Sequence, residues 1–145
     1  MNWKTIAIDK LKDYGAKQIG VQNLGEEIQE LRARRRGIRS SSSDSIAVQG
    51  GGSGREDAML NSMALQGELE VNFLFTKKWI TRVERGLSVL DADERMLLDK
   101  FYIHPERGVA ERLAMDLGID VKTVYYRKDR ALRKFTIAMC GCSES

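Results

Sequence analysis

Residues 109–135 read VAERLAMDLGIDVKTVYYRKDRALRKF. The first part is a short helix pattern, with Leu113, Ala114 and Leu117 recurring on one face. Gly118 interrupts it, since glycine readily takes the left-handed conformation that ends a helix. Asp120 then offers a carboxylate to cap a second helix, expected over 121–135. At about 100° per residue, Val124, Lys128, Ala131 and Phe135 return near one azimuth, and Leu132 adjoins them. Lys122, Tyr126, Asp129 and Arg133 lie roughly opposite. Two short helices with so tight a joint predict a helix-turn-helix, whose second helix is angled to enter the major groove of DNA.

Upstream, Leu87 and Leu90 lead into Asp91, an N-cap, with Glu94 three residues on as its capping-box partner. The next helix is expected from Ala92 to about Ile103, with Met96, Leu97, Phe101 and the stem of Lys100 along one side. The loop HPERG over 104–108 closes it. Residues 87–145 therefore read as three short helices, enough to bury the core of a helix-turn-helix domain.

Further back the pattern changes. Ala7, Tyr14, Val21 and Ile28 fall seven apart, and Leu24 and Leu31 occupy the second seam position of a heptad. Lys10 and Lys17 stand on that seam, and Gly15, Gly20 and Gly25 weaken the helix. The run GEEIQELRARRRG over 25–37 is the better helix, with acids early and arginines late, as the macrodipole favours. Gly37 is expected to end it. Residues 1–39 thus form an N-terminal helical segment. Residues 40–54, SSSSDSIAVQGGGSG, read as a flexible Ser/Gly linker that cannot bury enough apolar surface to offset ordering. Residues 55–86 are a connecting segment with one long helix from Asp57 to about Arg85, broken at Gly86. The long helix either folds back on the N-terminal one as an antiparallel coiled-coil hairpin or mediates a homodimer through 7–36 and 57–85. The expected fold class is all-α.

Net charge is only +3, so total charge is a weak argument for nucleic acid. The cations are clustered, however, over Arg32–Arg39 and Lys122–Lys134, and clusters create local positive fields. The run RARRRGIR over 32–39 reads equally as a DNA or acidic-polymerase contact and as a solvated helix end. No apolar run approaches the roughly 18 residues that span a bilayer. Cys140 and Cys142 are the 2 cysteines, too close to staple a fold. A cytoplasmic protein with reduced thiols is expected. One histidine, His104, leaves little for a metal site, and GGGSG lacks the Lys-Ser/Thr of a phosphate loop. The expectation is no cofactor, no metal and no catalysis. The methionines Met59, Met63, Met96, Met115 and Met139 read as core filler.

On the helix 121–135, Lys122, Tyr125, Tyr126 and Arg130 are the candidates for base readout. Lys and Arg donate to guanine, and Tyr packs on sugar or a thymine methyl. Arg107, Arg112, Thr123, Arg127, Arg133 and Lys134 are candidates for the DNA backbone, with Thr123 in a first turn whose free N–H groups attract phosphate. Asp129 is expected to pair with Arg133 or to accept from a cytosine amino group.

The ordered set Leu113-Ala114, Leu117-Gly118-Ile119, Asp120, Thr123-Val124 and Ala131-Leu132 resembles region four of sigma factors. The preceding LSVLDADERMLLDKFYI, over 87–103, is similar to the helix upstream of that region. The resemblance covers about Leu87 to Phe135. With the helical N-terminal part, the Ser/Gly linker and the segment YYRKDRALRKFTIAMCG over 125–141, the chain also resembles prophage regulators of the ArpU-like and RinA-like type. This likeness implies a sequence-specific transcription regulator of phage late genes in a bacterial cytoplasm, with double-stranded DNA and RNA polymerase as partners. The alternative is a small terminase subunit that recognises DNA for packaging. In such subunits the DNA-binding module usually comes first, whereas here it follows the long helices.

Overall fold

The computed structural model describes residues 1–44 and 52–144. It is all-helical, with no strand among the described residues. The helices are α1 (Trp3–Asp44), α2 (Gly52–Leu87), α3 (Ala92–Leu98), α4 (Val109–Leu117) and α5 (Val121–Cys140), and a π-helical turn over Asp99–Ile103 continues α3. No described helix is long and apolar enough to cross a membrane. Of the Ser/Gly stretch over 40–54, residues 45–51 lie outside the described residues. Residues 40–44 belong to α1 and residues 52–54 to α2.

One glycine expected to end a helix does not. α1 runs through Gly37 to Asp44. A lone helical glycine costs only about 1 kcal/mol relative to alanine, too little to stop a helix without a left-handed cap behind it. α2 ends at Leu87, one residue past Gly86. Gly86 is buried: a Cβ there would lie 2.5 Å from Met139 Sδ and 3.0 Å from Phe135 Cε2. The missing side chain is what lets α5 lie against the last turn of α2.

The chain divides into two compact units, Met1–Gln18 with Lys78–Ser145, and Ile19–Lys77. In the first, the start of α1 and the end of α2 run antiparallel. Tyr14 Oη donates to Glu84 Oε1 at 3.0 Å, and Lys17 Nζ lies 4.6 Å from the centre of the Trp79 ring. The lysine on the heptad seam is thus held by an aromatic face, which tolerates a cation on an otherwise apolar side. Burial first, then the hydrogen bond and charge of Glu84, hold the Tyr14 phenol above its ordinary range.

The same unit holds a core made by the three short helices. Leu97 of α3, Val109, Ala110, Leu113 and Ala114 of α4, and Val124 of α5 pack together, with Met96, Phe101, Ile119 and Val121 at its margin. Ala131, Leu132, Phe135 and Thr136 continue the buried side of α5. The Thr136 hydroxyl, fully buried, donates to the Leu132 carbonyl at 2.7 Å and so leaves no orphan donor.

The second unit is more open. Ile28 and Leu31 of α1 are buried there. Arg32 Nη2 meets Glu70 Oε1 at 2.8 Å, Gln66 Nε2 donates to the same oxygen at 2.7 Å, and Phe73 packs where Gly25 leaves room. The hydrogen bond from Gln66, then that from Arg32, hold the Glu70 carboxyl below its ordinary range. These pairings climb α1 as they descend α2, so the two stretches run antiparallel within this unit. Of the methionines expected as filler, Met115 is 84% exposed and Met63 48%, while Met59, Met96 and Met139 are half-buried. Met115 sits on the face of α4 away from Leu113 and Ala114, where nothing in the unit packs over it.

Candidate nucleic-acid interface

Two joints set α5 in place. Gly108 and Gly118 flank α4, both in the left-handed region, at φ 65° and 67°. At Gly118 the backbone reverses within three residues, and the Ile119 N–H closes the turn on the Ala114 carbonyl at 3.0 Å. An L side chain at that φ would be strained by roughly 1 kcal/mol or more. Asp120 then caps α5: its carboxylate accepts from the Thr123 N–H at 2.9 Å. The Thr123 hydroxyl and N–H hold the Asp120 carboxyl below its ordinary range. The capping box upstream is closed in both directions, with Glu94 N–H to Asp91 Oδ1 at 2.8 Å and Asp91 N–H to Glu94 Oε1 at 3.2 Å.

With Val124, Ala131, Leu132 and Phe135 inside, the outer surface of α5 falls into three strips. Lys122, Tyr126, Asp129 and Arg133 form the outermost strip, all exposed, with Tyr126 at 67%. The side chains of Lys122 and Tyr126 make no ion pair or hydrogen bond among the described residues. Arg133 Nε donates to Ser143 Oγ at 3.3 Å.

The second strip is tied down by aromatic contacts. The Tyr125 ring meets Phe101 edge-on, with centroids 5.7 Å apart. Lys128 Nζ lies 5.5 to 5.8 Å from the Phe101, Tyr125 and Tyr102 ring centres and 2.7 Å from Asp129 Oδ1. Burial alone would lower the Lys128 pKa, but the bond to Asp129 and the Tyr102 hydroxyl outweigh it and raise it. Asp129 therefore pairs with Lys128, not with Arg133 as expected. The neighbouring lysine sits over a low-dielectric aromatic cluster and draws the carboxylate in.

The third strip carries Arg127, Arg130 and Lys134, which line a groove with Asp91, Asp93, Glu94 and Leu97 of the α3 start. Lys134 Nζ meets Glu94 Oε2 at 2.8 Å. On α4, Arg112 is in an ion pair with Glu106 at 2.8 Å, and Arg107 is exposed in the loop before it. Thr123 is half-buried beside its capping carboxylate.

Of the ten residues read as DNA contacts, eight lie on α5, exposed or half-exposed, while Arg112 lies on α4 and Arg107 in the loop before it, and the ten are distributed unequally. Lys122 and Tyr126 stand outward. Tyr125, Arg112 and Lys134 already have partners within the protein. The Phe101–Tyr102–Lys128 cluster escaped the sequence reading. Its only signal was Lys128 on the inward azimuth, where a cation needs a partner.

In the arginine run, Arg32 is held by Glu70, and Arg34 Nη2 is 3.7 Å from Glu30 Oε2. Arg39 has no described side chain. Cys140 and Cys142 are free thiols, half-buried, and no three His, Cys, Asp or Glu residues come together as a metal site among the described residues. No protein-family model, no curated protein and no solved structure matches the chain.

Proposed function

We propose that α3, α4 and α5 form a helix-turn-helix domain of the sigma region-four kind, and that the chain is a sequence-specific DNA-binding transcription regulator of the phage late-gene or prophage type. The observation that carries this reading is the outermost strip of α5. Lys122 and Tyr126 project from the first two turns of a helix whose opposite side is fully buried. A helix held proud of its support, with a cation and a phenol at its leading end, suits entry into a major groove.

Base readout falls to Lys122, Tyr126 and Arg130, with Tyr125 supplying ring surface beside them. Arg107, Arg112, Arg127 and Arg133 hold phosphates, and the ion pair of Arg112 with Glu106 opens at that cost. RNA polymerase or a second copy of the chain is left for the long helices.

Fluorescence anisotropy with a labelled duplex tests the reading. First, a site is selected from a random pool. Replacing Lys122 by Ala is then expected to weaken binding to that site by about 1–3 kcal/mol. Removing a phosphate contact such as Arg107 should weaken selected and random duplexes alike and reduce the salt slope by about one. Absence of any association with duplex DNA at low ionic strength defeats the reading.

A further inference from the structure

We infer that the exposed face of α2 pairs antiparallel with the same face of a second copy of this chain, about a two-fold axis near Ala64–Gly67. This inference concerns self-association and does not rest on DNA binding.

The helix carries two heptad seams. One, with Met59, Ser62, Gln66, Leu69 and Phe73, is half-buried, and Phe73 meets α1 at Gly25 as described above. The other is not covered. Asp57, Ala64, Val71 and Lys78 recur every seven residues, and Leu60, Gly67 and Leu74 do so three residues on. On this second seam Leu60 is 63% exposed, Val71 50% and Leu74 57%, and the flanking Phe75 is 70% exposed. Such a row of large apolar side chains, about 22 Å long at 1.5 Å per residue, is unusual on a solvated face and marks an interaction surface.

The seam is complementary to itself in only one direction. Its acids, Glu56 and Asp57, stand at one end, and its cation, Lys78, at the other. A parallel partner would set acid on acid and base on base. An antiparallel partner sets Glu56 and Asp57 beside the partner's Lys78, and Leu60 beside its Val71 and Leu74. Both ends gain at once, as a two-fold interface requires.

At the centre stand the small residues Ala64 and Gly67. A Cβ at Gly67 meets nothing within 4 Å in the chain itself. Its space is open, so a second helix can approach closely there. A longer side chain would cost nothing within one copy and would hold two copies apart.

Sedimentation equilibrium or light scattering on the full chain, without DNA, tests this. The expected mass is twice the 16.4 kDa of one chain, falling on dilution. Gly67→Gln should keep the helical circular dichroism, because glutamine is the better helix former, and weaken association about tenfold or more. Leu74→Glu should do the same, and serves if the first variant fails to fold.

The direction of pairing has its own arm. Asp57→Lys should weaken association, and adding Lys78→Glu should restore it. A monomer at every concentration overturns the inference. So does a dimer indifferent to Gly67→Gln and Leu74→Glu, or to the charge reversal. Each of those results leaves the DNA-binding reading standing.

Discussion

The segment from α3 to α5 and the paired stretch over 19–77 use similar residues to opposite effect. Both are helical and charged on the outside. In the first, Leu97, Leu98, Leu113, Val124, Leu132 and Phe135 are buried, and side chains cap α3 and α5. In the second, Ile28 and Leu31 are the buried residues among those described, while Leu60, Leu65, Val71, Leu74 and Phe75 face outward. Three short helices meeting at angles can enclose a core, whereas two helices side by side cover only one stripe of each other. The difference teaches where each segment's stability resides: in enclosed packing for 92–140, and in a single seam for 19–77.

The largest effect that would sharpen this contrast is at Phe135, fully buried against Gly86. Phe135→Ala is expected to cost about 3–5 kcal/mol, read from urea denaturation. Leu74→Ala, at a concentration where one chain is monomeric, should cost no more than about 0.5 kcal/mol. Similar costs at the two positions would break the comparison.

Next comes the joint. Gly118→Ala forces a Cβ into the left-handed region and is expected to cost roughly 1 kcal/mol by the same measurement. Gly37→Ala, inside a continuous α1, should instead stabilise by a comparable amount. A loss at Gly37 would show that a left-handed or close-packed glycine is needed there after all.

The smallest effect is the acid dependence of the α5 cap. Hydrogen bonds from Thr123 depress the Asp120 pKa in the folded state. A depressed carboxyl contributes stability that is present above its unfolded pKa and lost as pH falls through the folded one. The advantage in Tm of the wild type over Asp120→Ala should therefore be larger near pH 7 than near pH 3, values chosen to lie on either side of the roughly 3.9 of a free aspartate. An advantage that grows on acidification contradicts the cap.

Much of 87–135 was legible in the residues. Asp91 with Glu94, Gly118 and Asp120 act locally, within three or four residues, and the inward set of α5 follows from the helical period alone. The candidate site was legible only in part. That Tyr125 would rest on Phe101, that Lys134 would meet Glu94, and that Asp129 would turn to Lys128 depend on how α3 and its π-helical turn lie against α5.

The amino-acid order by itself determined the helical elements, their caps and the buried side of α5, since these are short-range consequences of propensity, hydrogen bonding and a period of 3.6 residues. Only the tertiary structure decided that Gly86 is a packing contact and which cations stay outward, because both outcomes are set by atoms brought together from distant parts of the chain.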